Sequence, residues 1–175
     1  KLLSGMFPEK EIETMIDPTL MLEKRQWEEI IEKQPVCKEA YIGCYATLED
    51  ELDQMMPLLR HLYQTYQKKV ILFGMVAPRE ETWIENYVTA GPLEFILIIR
   101  DADFILTNSF HGTAFSLNFH TQFLTYHDGL ENPRKEGLLH MVHLERRMVH
   151  TLEECRMICE EEIDFTEPER ILQQE

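Results

Sequence analysis

Continuous apolar runs separated by helical segments constrain the fold of this chain most strongly. Three strong runs are AYIGCYA at residues 40–46, KVILFGMV at 69–76 and DFILTN at 103–108, and a shorter one is QFLTYH at 122–127. Their apolar residues are consecutive rather than alternating, which is typical of strands covered on both faces of a sheet. Such strands belong to parallel sheets that carry helices on either side.

Helical patterns lie between these runs. After the first run, one helix face is formed by residues at spacings of four and three: Leu48, Leu52, Met55, Leu59, Leu62 and Tyr66. Pro57 interrupts this pattern and is expected to kink or restart the helix. GPLEFILIIRDA, with Pro92 in a first turn, and HGTAFSLNF predict two further helices. The alternation of strands and helices indicates right-handed crossovers, and therefore a Rossmann-like three-layer α/β/α fold with a mainly parallel sheet.

The chain is predicted to have three regions. Residues 1–20 are interpreted as an entry segment that follows an N-terminal domain outside this chain, because the sequence does not begin with methionine. Residues 21–150 are predicted to form the Rossmann-like, donor-binding domain, and residues 151–175 an acidic helical extension. That tail is amphipathic, and Pro168 is expected to start its last short helix.

A helix is predicted near the beginning of the chain. DPTLMLEKRQWEEIIEK predicts a turn at Asp17, followed by a helix that buries Trp27, Ile30 and Ile31. The charged face of this helix is expected to be exposed, and the same is expected of the acidic tail.

Charge and cysteine content exclude several classes of function. The chain carries 32 acidic residues against 17 lysines and arginines, a formal net charge of −15, which would repel nucleic acid and anionic lipid. A small anion could still bind where positive groups are gathered. The four cysteines form no disulfide framework, no apolar run reaches the roughly 18 residues of a membrane span, and no signal peptide is evident. These features predict a cytoplasmic protein with reduced thiols and no transmembrane segment.

The stretch TNSFHGTAFS at residues 107–116 contains the candidate site. A strand is expected to end here and a helix to start near His111, where free backbone N–H groups and the helix dipole favour an anion. Asn108 and Ser109 are good N-cap residues, Gly112 would let a ligand approach the backbone, and His111 adds a proton donor or acceptor. The residues alone leave two interpretations open, a structural helix cap and an anion-binding catalytic site.

The other histidines could suggest a metal site. His111, His120 and His127 form one candidate set, and His140 with His143 another. Neither set has a further cysteine or carboxylate at a recognised ligand spacing, so no metal is expected.

The longer context resembles the polysaccharide pyruvyl transferase family. The resemblance rests on the GPLEF helix, the core ADFILTNSFHGTAFS, the short strand after it and the element NPR…LL…LERR, together with DPTLML and Trp27 upstream. It covers roughly residues 17–147 and leaves the tail unexplained.

This resemblance implies a function and a set of site residues. The family transfers the enolpyruvyl unit of phosphoenolpyruvate to a pair of sugar hydroxyls as a ketal, in surface polysaccharide assembly. Its members resemble two-domain GT-B glycosyltransferases, of which this chain would be the carboxyl-terminal half. The family histidine maps onto His111 as the catalytic residue, acting as an acid or as a phosphate ligand, and no metal or further cofactor is implied. The acceptor would be an oligosaccharide or a lipid-linked sugar at the cytoplasmic face of a membrane.

Donor binding is expected to involve the polar and small residues around His111 and one arginine further along the chain. The candidates in the motif are Asn108, Ser109, Gly112 and Thr113. Other branches of the family carry arginine where this chain has Ser109, so positive charge must come from elsewhere. The arginine of the NPR element, Arg134, suits a carboxylate or phosphate better than its neighbour Lys135 does.

Two alternatives of other classes remain open at the level of sequence. The first is a GT-B glycosyltransferase that uses a nucleotide sugar. It would need a carboxylate for the ribose and a base pocket near the helix amino-terminus. The stretch around NSFHGT supplies no obvious carboxylate, which leaves Glu94 of the neighbouring helix. The second is a non-catalytic domain that serves binding or assembly.

Overall fold

One parallel sheet forms the centre of the molecule. The computed structural model describes residues 5–11, 16–31, 35–127, 129 and 132–174. Over these residues the strands are β1 (Tyr41–Ala46), β2 (Lys69–Gly74), β3 (Ile84–Asn86), β4 (Phe104–Thr107), β5 (Gln122–Tyr126) and β6 (Met148–Val149). Their order is β3-β2-β1-β4-β5-β6, and every neighbouring pair is parallel. The four predicted strands are confirmed, and the two short edge strands β3 and β6 are additional.

Helices cover both faces of this sheet. Those in the described residues are α1 (Lys24–Ile30), α2 (Glu49–Tyr66), α3 (Pro92–Asp101), α4 (Phe110–Phe119), α5 (Pro133–Met141), α6 (Leu152–Ile158) and α7 (Thr166–Leu172). One core joins α3, α4 and α5 to strand residues such as Ile71 and Ile105. The other joins α2 and α6 to the alternate strand residues, such as Leu72 and Leu106. The predicted three-layer α/β/α architecture is therefore confirmed. No helix among the described residues is both long enough and apolar enough to cross a membrane.

Helix α2 runs without interruption through Pro57. The prediction that this proline could restart the helix is wrong. The proline is exposed, so water can reach the carbonyl of Asp53 that lacks an N–H partner. On the opposite face of the helix, fully buried residues such as Leu52 and Leu59 hold both halves against the sheet.

Helix α1 buries less than the sequence predicts. It ends at Ile30, which is 56% exposed, and the prediction that Ile30 is buried is wrong. The chain leaves the helix in an extended conformation at Ile31, whose side chain turns into the core. Trp27 is half-buried and packs edge-on against Phe115, with ring centroids 5.0 Å apart.

The acidic tail packs on the sheet domain through its apolar residues. Cys155 and Ile158 of α6 are buried in the core that contains α2, while the acidic residues of the tail face outward. The side chain of Gln122 in β5 exchanges two hydrogen bonds with the backbone of Ile163. Pro168 lies in the first turn of α7.

Candidate functional site

His111 lies in the first turn of α4, at the edge where the parallel strands have their carboxyl ends. Strand β4 ends at Thr107 and α4 begins at Phe110. The Ser109 hydroxyl accepts a hydrogen bond from the Gly112 N–H at 3.5 Å, so Ser109 is the N-cap. His111 itself is exposed. The predicted strand end and capped helix start are confirmed, and they turn this imidazole toward solvent.

A cavity of about 460 Å³ lies beside His111. Residues at the carboxyl ends of β1 and β2, the segment before α3 and the first turns of α3 and α4 form its wall. The lining residues are Tyr45, Phe73, Gly74, Met75, Val88, Thr89, Ala90, Gly91, Pro92, Phe95, His111 and Phe115. Four of them are aromatic, and none is a lysine, arginine, aspartate or glutamate. His111 is thus the one titratable group of this wall apart from the tyrosine.

Arg134 is connected to His111 through the ring of Phe110. The Arg134 guanidinium lies 4.2 Å from the centroid of the Phe110 ring, and that ring contacts the His111 ring edge-on with centroids 5.4 Å apart. Nη2 of Arg134 donates to Oδ2 of Asp17 at 2.9 Å. The Arg134 side chain is 60% exposed, which leaves other N–H donors open to a ligand. The structure therefore brings together two residues that are 23 positions apart in the sequence.

Asp17 is a member of this cluster that the sequence reasoning missed. Its carboxylate caps the turn Pro18–Leu20 by accepting hydrogen bonds from the N–H and the hydroxyl of Thr19. Partial burial raises the pKa of Asp17, but the hydrogen bonds from Thr19, the charge of His111 and the hydrogen bond from Arg134 outweigh it, so the pKa is lowered overall. The Asp-Pro pair indicated the turn. Nothing local in the sequence indicated a partner 117 residues away.

Asn108 connects two loops of the same edge. Its side-chain oxygen accepts from the Thr47 N–H at 3.1 Å, and its amide nitrogen donates to Oε2 of Glu51 at 2.7 Å. Asn108 is 5% exposed. Its side chain therefore joins the loop after β4 to the start of α2.

Gly112 and Thr113 also have identifiable partners within the fold. A Cβ built on Gly112 would lie 2.4 Å from Oγ1 of Thr107, so the missing side chain allows α4 to approach the end of β4. The Thr113 hydroxyl bonds to the carbonyl of Ser109 at 3.0 Å and to the hydroxyl of Thr125 at 2.8 Å. Of the predicted site residues, His111 and Arg134 present open functional groups, whereas the others hold α4 in position.

Lys135 is 3% exposed, and its ammonium group bonds within the fold rather than to a ligand. Its ammonium group donates to the carbonyls of Asn108 at 2.9 Å and Tyr126 at 3.0 Å. These carbonyls lie at the ends of β4 and β5, so the lysine holds two neighbouring strand ends together beneath the site.

The histidines of the two candidate sets other than His111 each contact a carboxylate. The pairs are His120–Glu169, His127–Glu136, His140–Glu145 and His143–Glu167. Burial lowers the pKa of His120. Within the described part of the chain, no three histidine, cysteine, aspartate or glutamate side chains are grouped so that they could hold a metal ion.

A comparison with protein families decides the classification. The sequence model of one family, described as polysaccharide pyruvyl transferase, matches residues 1–126. The chain belongs to the polysaccharide pyruvyl transferase family. The matched region includes His111 and its helix, and it ends before Arg134 and the tail.

Solved structures share the fold of this pyruvyl transferase family member. Two are structures of UDP-GlcNAc 2-epimerase from Methanocaldococcus jannaschii, one of them in complex with UDP-GlcNAc and UDP. The complex has a TM-score of 0.55 at 14% identity, over 99% of this chain and 51% of that chain. The second has a TM-score of 0.54 at 16% identity, over 86% and 48%. This chain therefore spans about half the length of these GT-B-like proteins. No curated protein matches its sequence.

Proposed function

We propose that this chain is the donor-binding part of an enzyme that transfers the pyruvyl group of phosphoenolpyruvate to two sugar hydroxyls as a ketal. The observation that carries the proposal is the position of His111. By the resemblance to the family, its histidine maps onto this residue, which lies exposed at the amino end of α4, beside a cavity and next to Phe110 and Arg134. A site of this kind combines a proton-carrying group with donors for an anion.

The reaction requires one proton transfer to carbon and two additions of hydroxyl oxygen. A proton added to the methylene carbon of the donor leaves a cation at the carbon that carries the phosphate. A first sugar hydroxyl attacks this carbon, phosphate departs with the electron pair of its C–O bond, and a second hydroxyl closes the ketal. The two hydroxyl protons are released. Imidazole can donate and accept a proton, so His111 would either protonate the methylene carbon or bind the phosphate.

Positive charge for the donor would come from Arg134 and from the start of α4. A guanidinium pairs with a carboxylate or phosphate through two parallel N–H bonds. The N–H groups in the first turn of α4 favour the same anions, since this end of a helix carries partial positive charge. Arg134 would thus supply the charge that other branches place at the position of Ser109.

The acceptor and the rest of the enzyme belong to the proposal as well. This chain is about half as long as its structural neighbours, so a second domain would complete the cleft. The acceptor would be an oligosaccharide or a lipid-linked sugar, used at the cytoplasmic face of a membrane in surface polysaccharide assembly.

A nucleotide sugar is the second candidate for the donor. The structural neighbours are UDP-GlcNAc 2-epimerases, and a carboxylate that could bind a ribose lies near the cavity. A Cβ built on the lining residue Gly91 would be 2.8 Å from Oε2 of Glu94. A non-catalytic binding module is the remaining alternative.

Calorimetric titration with phosphoenolpyruvate tests the proposal. His111→Ala and Arg134→Gln should each weaken binding about tenfold or more, because each removes a charge-assisted hydrogen bond. Matched controls are His140→Ala, an exposed histidine paired with Glu145, and Arg146→Gln, an exposed arginine paired with Glu161. The controls should bind as the unaltered chain does.

Three outcomes separate the candidates. Phosphoenolpyruvate binding that depends on both site residues, followed by ketal formation by the protein together with its second domain, supports the transferase. Binding of UDP-GlcNAc in preference to phosphoenolpyruvate supports the nucleotide-sugar enzyme. Anion binding without turnover by the complete protein supports the binding module.

A further inference from the structure

The cavity beside His111 is poorly suited to an anion. Its lining contains four aromatic residues and neither lysine nor arginine. A negative charge borders the wall, since the Glu94 carboxylate lies close to the lining residue Gly91. A donor with a phosphate and a carboxylate would be repelled here, because like charges at short range oppose binding. Arg134 lies beside Phe110, which is not part of the cavity lining.

Tyr45 lines the same cavity and carries a hydroxyl. Its ring contacts those of Phe73 and Phe95, with centroids 5.1 Å and 4.6 Å apart, so the side chain is held in one orientation. The hydroxyls of Tyr41 and Tyr126 donate to Ile98 and Gln54 within the fold. The Tyr45 hydroxyl has no such partner among the described residues, and it is not sealed from solvent.

The protonation of Tyr45 suits hydrogen bonding to a neutral ligand. Burial of the ring raises the pKa of the phenol above its ordinary value of 10.0, so the hydroxyl keeps its proton throughout the physiological range. It can therefore donate one hydrogen bond and accept others. A hydroxyl that has no partner within the fold and remains open to solvent in a cavity can pair with a ligand atom.

We infer that this aromatic cavity holds the acceptor sugar, with Tyr45 and Glu94 as its hydrogen-bonding residues. The inference rests on the proposed function and divides its site in two. A sugar ring is uncharged, offers C–H groups to the aromatic rings of Tyr45 and Phe95, and offers hydroxyls to the phenol and the carboxylate. The anionic donor is then held on the Arg134 side, and His111 lies between the two.

Saturation-transfer NMR on this chain tests the inference with defined probes. The probes are the methyl glycosides of galactose, glucose, mannose and N-acetylglucosamine, with phosphoenolpyruvate and UDP measured in parallel. Tyr45→Phe removes one hydroxyl and Glu94→Gln one charge. Each should weaken binding of the preferred glycoside about fivefold or more, and leave phosphoenolpyruvate binding unchanged. Tyr63→Phe, in which the ring stacked on Trp83 is retained, and Glu80→Gln are matched controls.

The outcomes distinguish this inference from the proposed function. The inference is overturned if no glycoside receives saturation from the chain, if Tyr45→Phe weakens phosphoenolpyruvate binding instead, or if UDP displaces the glycoside from the cavity. The proposed function fails separately if the unaltered chain and the complete protein both bind no phosphoenolpyruvate. Thermal transitions of the four variants establish that each is folded.

Discussion

Gly112 shows how a single residue of the site motif is determined by packing. We expect Gly112→Ala to lower the free energy of unfolding by about 1–3 kcal/mol, because the new Cβ would meet the side chain of the fully buried Thr107. Urea denaturation measures the change. Gly137→Ala is the control, since that glycine lies within α5 and a Cβ there meets nothing within 4 Å. The control should be neutral or stabilising by up to about 1 kcal/mol. Equal effects at both positions would contradict the packing explanation.

The contribution of Asp17 should depend on pH. Its pKa is lower in the folded chain than the ordinary value, so the ionised carboxylate stabilises the fold above that value. The stabilisation is lost as the pH falls through the folded-state pKa. Asp17→Asn keeps a capping oxygen but loses the charge next to Arg134, so it should be less stable by up to about 1 kcal/mol at pH 7. Urea denaturation at pH 7 and pH 3 should show the difference shrinking at pH 3, and a constant difference would contradict this.

The sequence predicted those site residues whose neighbours along the chain determine their position. His111 follows a buried strand and a serine, and that pattern alone predicts a helix start near this imidazole. The Asp17–Arg134 pair and the open hydroxyl of Tyr45 depend on how distant segments are arranged in space. No periodicity or spacing could indicate either of them.

Lys135 joins elements rather than binding a ligand. Replacing it with methionine leaves the carbonyls of Asn108 and Tyr126 without their ammonium partner, which should lower the free energy of unfolding by about 1–3 kcal/mol. Urea denaturation of Lys135→Met measures this. Lys69→Met is the control, since Lys69 is exposed at the start of β2. A loss no larger than that of the control would show that the strand ends do not depend on this lysine.

Strands and helices were predictable from the sequence where the apolar pattern is long. The runs that became β1, β2, β4 and β5 are continuous, and the helices between them have whole turns of pattern. The edge strands β3 and β6 contain three and two residues, too few for any pattern to stand out. Ile30 was misassigned because α1 ends at that residue, and the sequence shows no cap that marks the end.

At the scale of the whole molecule, the acidic tail should behave as part of the domain. Deleting residues 151–175 removes Cys155 and Ile158 from the core that contains α2, so Tm should fall by about 5 °C or more. Calorimetry of the shortened chain measures the fall, and a chain ending at Leu172 serves as the control. An unchanged Tm would show that the tail folds as an independent extension.

The ion pair between Asp17 and Arg134 also places a carboxylate of the protein in competition with an anionic donor for the same guanidinium. Asp17 is a tethered carboxylate, present at high effective concentration next to the guanidinium that an anionic donor would use. Any such donor must displace it or share the guanidinium with it. Removing the charge of Asp17 should therefore lower the free energy of unfolding and raise the affinity of the site for an anion at the same time. The affinity of the site would then be adjustable from a residue that need not touch the ligand.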